Sequence, residues 1–156
     1  MIYSIRKAKK ILVIIILITS CTSVEKKDFS QEAEKAIAEV DIAMSDLAVK
    51  EGFYKALLQY AEDSVIIPRE GKMPLIGIQD ADIAWPDKET LKEISWKPFR
   101  VQASKSGDMG YTFGFWIYKG SDTTTYGNYC TIWRKQNNGS WKFVFDGGNS
   151  MPRSWE

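Results

Sequence analysis

Two aspartates and one absence bound the chemistry open to this chain. Asp146 ends the run Phe143-Val144-Phe145-Asp146, an otherwise apolar strand. A carboxylate in an apolar cavity is desolvated, so its pKa rises and it becomes a usable base near neutral pH. The same residue can instead cap a turn at Gly147-Gly148 or pair with Arg134. Asp41 interrupts an apolar helical stripe, beside Val40 and one turn before Met44. It either looks into a cavity mouth or lies on a solvated flank. Two carboxylates meeting in one cavity would form a general acid–base pair. The chain has no histidine, which excludes Ser-His and Cys-His nucleophilic arrangements and histidine-containing metal sites. Cys130, without a histidine partner, reads as a small buried hydrophobe. Asp63 suits a helix-to-strand turn, and Asp80 and Asp82 a solvated face. No metal and no cofactor is expected.

Aromatic residues supply the other chemistry, recognition. Tyr111, Phe113, Trp116, Tyr118, Tyr129 and Trp133 can line a pocket that Phe53, Leu57, Tyr60 and Trp96 close from the helix side. Ligand sites are mostly apolar with a few placed polar groups, and Tyr and Trp bring a donor with each ring. Core or dimer packing would use the same residues, and stacking on a carbohydrate is a further use of them.

The elements that must position these residues follow from the pattern. Tyr111–Tyr118, Tyr126–Lys135 and Ser140–Asp146 are rich in aromatic and β-branched residues and read as consecutive antiparallel strands. Lys119–Thr125 is a loop, and Gln136–Gly139 ends in Asn-Gly, a strong hairpin signal. These strands are apolar on both faces, so both need a cover: helices, a cavity or another subunit. Upstream, Ser30–Ala48 reads as an amphipathic helix capped by Ser30, with Ala33, Ile37, Val40, Met44 and Leu47 as its stripe. Phe53–Tyr60 reads as a second helix, Ser64–Pro68 as a strand and Arg69–Leu75 as a turn. Gly77–Trp85 reads as a short helix, Lys88–Ile94 as a helical turn and Ser95–Ser104 as a strand. Pro98 belongs at an edge or bulge there. Helices followed by strands make an α+β order, with a curved antiparallel sheet wrapped around the N-terminal helices as a cone that encloses a cavity.

The first residues read as an address. Arg6 to Lys10 are basic and Ile11–Ile18 is an apolar run, too short for the ~20 residues a membrane-spanning helix needs. Ile18-Thr19-Ser20-Cys21 resembles a bacterial lipobox, in which the cysteine is acylated after cleavage. The expected organisation is a lipoprotein signal peptide over 1–20, a lipidated Cys21 with a tether over 21–29, and one domain over 30–156. Thr22 after the cysteine implies, by the same resemblance, an outer-membrane location facing the periplasm. Without the leader the chain carries 17 basic and 20 acidic residues. That balance, with no basic cluster, argues against nucleic-acid binding.

The chain resembles the nuclear-transport-factor-2-like, or SnoaL-like, superfamily, and within it an uncharacterised group of exported bacterial proteins. The residues that carry the resemblance are Asp41-x-x-Met44, Glu51-Gly52-Phe53, Tyr60–Val65, Pro74–Gly77, Trp96-x-Pro98, Ser106–Gly114, Gly127–Lys135 and Gly139–Asn149. The resemblance implies the cone-shaped fold, a homodimer through the sheet, and a role drawn from a wide range. Relatives include isomerases, cyclases, dehydratases and non-catalytic binding modules. Binding of a small apolar or aromatic molecule is the leading expectation. An acid–base enzyme or a pure interaction module is the alternative.

Overall fold

The computed structural model describes residues 27–85, 87 and 90–156. The expected leader, Cys21 and residues 22–26 of the tether lie outside that range. Helix α1 spans Ser30–Glu51 and α2 spans Phe53–Tyr60. Gly52 divides them with a φ of 113°, a conformation that glycine adopts without steric cost. Ser30 is the first helical residue and not the cap. The Asp28 carboxylate accepts its N–H at 2.9 Å and its hydroxyl at 2.6 Å.

The buried stripe of α1 is Ala33, Ile37, Asp41, Met44, Ser45 and Ala48. It is turned from the stripe read off the sequence. Val40 and Leu47 sit half-buried at its margin, and Asp41 stands at its centre, fully buried. Small side chains at 33, 45 and 48 let the helix lie close to the sheet.

The remaining elements are β1 (Ala61–Arg69), β2 (Lys72–Ile76), α3 (Ile78–Ala84), β3 (Ile94–Ala103), β4 (Met109–Lys119), β5 (Thr124–Lys135) and β6 (Trp141–Met151). The strands form one open sheet in the order β2-β1-β6-β5-β4-β3. All neighbours are antiparallel except β1 and β6, which run parallel. The sheet is therefore mixed, not purely antiparallel. Most of the domain lies between β1 and β6 in sequence, which gives the long connection that parallel pairing needs.

Two local readings change. Strand β2 occupies most of the segment read as a turn. The turn proper is Glu70-Gly71, with Gly71 at φ 64°, and Pro74 is tolerated because β2 is an edge strand. The described residues 90–93 carry no helical turn, and Leu91 has a φ of 61°. Pro98 meets both expectations, since β3 is the other edge and its register slips between Pro98 and Arg100. The Asn138-Gly139 turn closes β5 onto β6, with Gln136 N–H donating to the Ser140 carbonyl at 2.7 Å.

Register slips in β1, β3 and at Ile132/Trp133 bend the sheet, as bulges do. The inner face carries Thr112, Gly114 and Trp116 of β4 opposite Thr131, Tyr129 and Gly127 of β5, and α1 lies across β3 and β4. The α+β cone follows. Trp133 and Phe143 fill its closed end, both fully buried, with ring centroids 5.9 Å apart. Burial of Phe143 contributes about 1.5–3 kcal/mol.

Candidate functional site

The open end of the cone holds a cavity of about 360 Å³, within the range of small-molecule sites. Its walls come from every layer. Met44 projects from α1, and Phe53, Tyr54 and Leu57 from one side of α2. Trp85 follows α3, Ile67 to Arg69 end β1 with Glu70 in the turn just after it, and Ile94 and Trp96 start β3. Trp116, Tyr129 and the segment Asp146–Ser150 complete it from the sheet.

Cross-strand glycines let the rings lie over the sheet. Gly114 faces Tyr129 and Gly127 faces Trp116. A Cβ at Gly127 would overlap the Trp116 indole, and one at Gly114 would overlap the Tyr129 ring. Around the cavity, Phe53 meets Trp96 edge-on at 5.9 Å, and Tyr54 stacks on Trp85 at 4.8 Å with planes 21° apart.

The two aspartates have different surroundings. Asp41 does not line the cavity. It lies beneath the cavity wall, where it accepts the Trp96 indole N–H at 3.0 Å on Oδ1 and the Tyr129 hydroxyl at 2.6 Å on Oδ2. The Thr112 hydroxyl also reaches it, while Thr112 accepts the Trp133 indole N–H at 3.1 Å. Burial raises the Asp41 pKa, and the hydrogen bonds from Tyr129, Trp96 and Thr112 oppose that rise. Burial, then the neighbouring Asp41, pushes the Tyr129 phenol upward, so it stays a neutral donor. Ser45, a turn away, accepts the Trp96 backbone N–H at 2.9 Å. Asp41 therefore orients the wall and is not half of an acid–base pair within one cavity.

Asp146 does line the cavity. Its Oδ1 accepts the Thr131 hydroxyl at 2.5 Å. Burial pushes its pKa up to about 6, Thr131 lowers it, and the charge of Asp41 raises it further. Neither structural role open to it in the sequence is filled: Gly147 and Gly148 continue β6 and make no turn to cap, and the Arg134 guanidinium pairs with Glu62 at 2.8 Å.

Of the aromatic and apolar candidates, Phe53, Leu57, Trp96, Trp116 and Tyr129 line the cavity. Five others do not. Tyr111 and Phe113 point to the outer face, one residue out of phase with Thr112. Tyr111 donates to Gln102 at 2.6 Å there, beside Cys130 and Ile132. Trp133 is sealed in the core. Tyr118 packs its ring near Gly120 at the strand end. Tyr60 is half-buried against the core at the end of α2. Sequence reasoning missed Tyr54 and Trp85. Tyr54 adjoins Phe53 and precedes Leu57 by three residues, a spacing that puts all three on one side of a helix. Trp85 follows a short helix, where the pattern gave no hint of its direction. Among the described residues, no group of acidic and cysteine side chains is placed to hold a metal.

No protein-family model and no curated protein matches the chain. Solved structures do match. The chain is similar to a ketosteroid isomerase-like protein from Erwinia carotovora atroseptica, with 14% identity and a TM-score of 0.62, over 78% of this chain and 98% of that one. It is similar to an NTF2-like protein of unknown function from Shewanella oneidensis, with 19% identity and a TM-score of 0.59, over 73% and 96% of the two chains. An NTF2-like protein with a cystatin-like fold from Novosphingobium aromaticivorans matches at 15% identity and a TM-score of 0.59, over 80% and 86%. The fold of this chain is the nuclear-transport-factor-2-like fold.

Proposed function

We propose that this nuclear-transport-factor-2-like domain is a lipid-anchored binding protein of the bacterial envelope that takes a small aromatic or largely apolar molecule into its cavity. One observation carries the reading. The cavity is walled by Phe53, Tyr54, Trp85, Trp96, Trp116 and Tyr129, and the sheet sets one carboxylate, Asp146, among these rings, with Glu70 also in the lining. The donors of Trp96, Trp116 and Tyr129 are spent within the protein, on Asp41 and on the Asn128 carbonyl at 3.2 Å. Those rings therefore offer the ligand apolar surface. The anchor is Cys21, by its lipobox-like setting, and the location is the outer membrane facing the periplasm. A second copy covers the outer sheet face, and nucleic acid is not a partner.

Native mass spectrometry of the Lys27–Glu156 chain tests the binding reading. The buried core is drawn from Ala33 to Phe143, so this chain carries what folding requires. A small-molecule adduct on the purified protein is the expected result. Failure to retain or take up any aromatic ligand would remove the reading.

A second reading, an isomerase, cyclase or dehydratase, has one observation in its favour. The Asp146 pKa of about 6 suits a general base near neutral pH, and a ketosteroid isomerase-like protein is among the similar structures. Proton transfer on a cavity ligand that rises through pH 6 and disappears in Asp146→Asn would support it. Turnover unchanged by that substitution would end it.

A further inference from the structure

We infer that the cavity selects organic cations: an aromatic or alkyl amine whose ammonium group meets Asp146 while its apolar body lies against Trp96, Trp116 and Tyr129. This rests on the binding reading above and adds the charge of the ligand to it.

The argument is one of charge left without compensation. Thr131 is the only hydrogen-bond donor that the described residues bring to Asp146. A carboxylate in a largely apolar site needs more than one hydroxyl, because burying a charge is costly unless it is paired. The basic group nearest to hand is committed elsewhere. Arg69 is the one basic side chain among the lining residues, and its Nε and Nη2 both donate to the Met73 carbonyl, at 3.0 and 2.8 Å. That fork holds the guanidinium onto the β1–β2 turn, beside the acidic Glu70. Behind the wall stands Asp41, a second carboxylate that already acts on Asp146 electrostatically. An anion entering the cavity would therefore meet two lining carboxylates, Asp146 and Glu70, with Asp41 behind them, against one engaged arginine.

The walls favour the same sign. Asp41 and the Asn128 carbonyl draw the hydrogen-bond donors of Trp96, Tyr129 and Trp116 away from the ligand. What remains toward the cavity is ring surface, whose electron-rich faces attract an ammonium group. A cation bound here would gain a charge-assisted hydrogen bond to Asp146 and ring contacts together, in a partly desolvated site.

The test uses three indoles with the same two-carbon linker and three charges: tryptamine, tryptophol and indole-3-propionate. Each is titrated calorimetrically at pH 7.5 into the Lys27–Glu156 chain and into its Asp146→Asn variant, with thermal unfolding as the check on folding. Tryptamine should bind wild type about tenfold or more tighter than either other indole. In Asp146→Asn that preference should vanish, with tryptamine binding no more tightly than tryptophol does to the same variant. Equal or stronger binding of tryptophol or indole-3-propionate to wild type overturns the charge inference and leaves the binding reading standing. A tryptamine preference that survives Asp146→Asn removes Asp146 as its source and overturns the assignment. No binding of any of the three overturns the binding reading itself, and the inference with it.

Discussion

Asp41 and Asp146 are the same residue type on facing sides of one cone wall, and their neighbours give them opposite roles. Asp41 is saturated with donors and holds the wall. Asp146 has one hydroxyl and a cavity in front of it. The raised pKa of Asp146 gives a signed prediction. A carboxyl whose folded pKa lies above its unfolded value near 3.8 binds its proton more tightly when folded. Its stabilising contribution is complete below pH 3.8 and is lost as pH rises through the folded value of about 6. Asn keeps the shape, accepts the Thr131 hydroxyl and does not titrate. Asp146→Asn should therefore match wild type near pH 4 and be more stable at pH 7.5, by up to about 3 kcal/mol. Urea denaturation at the two pH values reads the difference, and a variant no more stable at pH 7.5 would contradict it. Asp41 predicts the reverse. Asp41→Ala orphans the Trp96 N–H and the Tyr129 O–H inside the wall and should cost about 3–5 kcal/mol at acid pH, and less as pH rises, because burial raises the Asp41 pKa as well. Tyr129→Phe removes one donor only and should cost about 1–2 kcal/mol. Comparable losses for both would mean that Asp41 is not the hub of this network. The sequence led to both aspartates but not to this division. A stripe drawn through the larger apolar residues placed Asp41 at its margin. The buried face keeps Ala33, Ile37 and Met44 but turns to take in Ser45 and Ala48, whose small size carries little hydropathy signal.

Elements decide which side chains reach the cavity, and here glycines matter as much as aromatics. Trp116 and Tyr129 can lie flat only because Gly127 and Gly114 stand opposite them. Gly127→Ala forces its methyl into the indole and the Asn149 carbonyl. It should cost about 1–3 kcal/mol by overpacking and push Trp116 into the cavity, weakening ligand binding. Thermal unfolding and titration of the same variant test both parts. Full stability with unchanged binding would show that the sheet absorbs the methyl elsewhere. At this scale much was legible. The three aromatic strands, the Asn138-Gly139 hairpin, α2 and the bulged edge at Pro98 all follow from local pattern. The parallel pairing of β1 with β6 does not, because strand partners are chosen by burial across the whole chain and not by the local sequence. Strand β2 was hidden for a related reason. Apart from Leu75 its residues are exposed, so no alternation marks it. Alternation also sorts the aromatics of β4, since residues one apart face opposite ways. Tyr111 and Phe113 could not share a face with Trp116, although composition alone had grouped them.

For the whole molecule, the two-faced apolar strands demanded two covers, and the described residues supply one and a part. The inner face has α1 and the cavity. On the outer face, Trp155 stacks on Phe115 at 4.8 Å and meets Phe99 at 5.6 Å, yet Phe99 and Trp155 remain 58% and 60% exposed. A second copy is the proposed remaining cover. Light scattering should give a dimer, and Phe115→Glu should give a monomer whose cavity still binds. A wild-type monomer at micromolar concentration would leave the tail as the sole cover. The lipid proposal then gains a direction. Phe29, where the tether joins α1, donates its N–H to the Lys105 carbonyl in the β3–β4 turn at 2.9 Å. The cavity residues Trp96 and Trp116 lie at the other end of those strands. From Met109 to Trp116 the strand rises roughly 23 Å. We propose that an anchor at Cys21 would hold the turn end toward the bilayer and turn the cavity mouth to the aqueous side. The full chain, lipidated and bound to liposomes, should take up tryptamine with the affinity of the Lys27–Glu156 chain in solution. Binding blocked by the liposome surface would mean that the mouth faces the bilayer and that ligand arrives through lipid, which would reverse the orientation argued from Phe29.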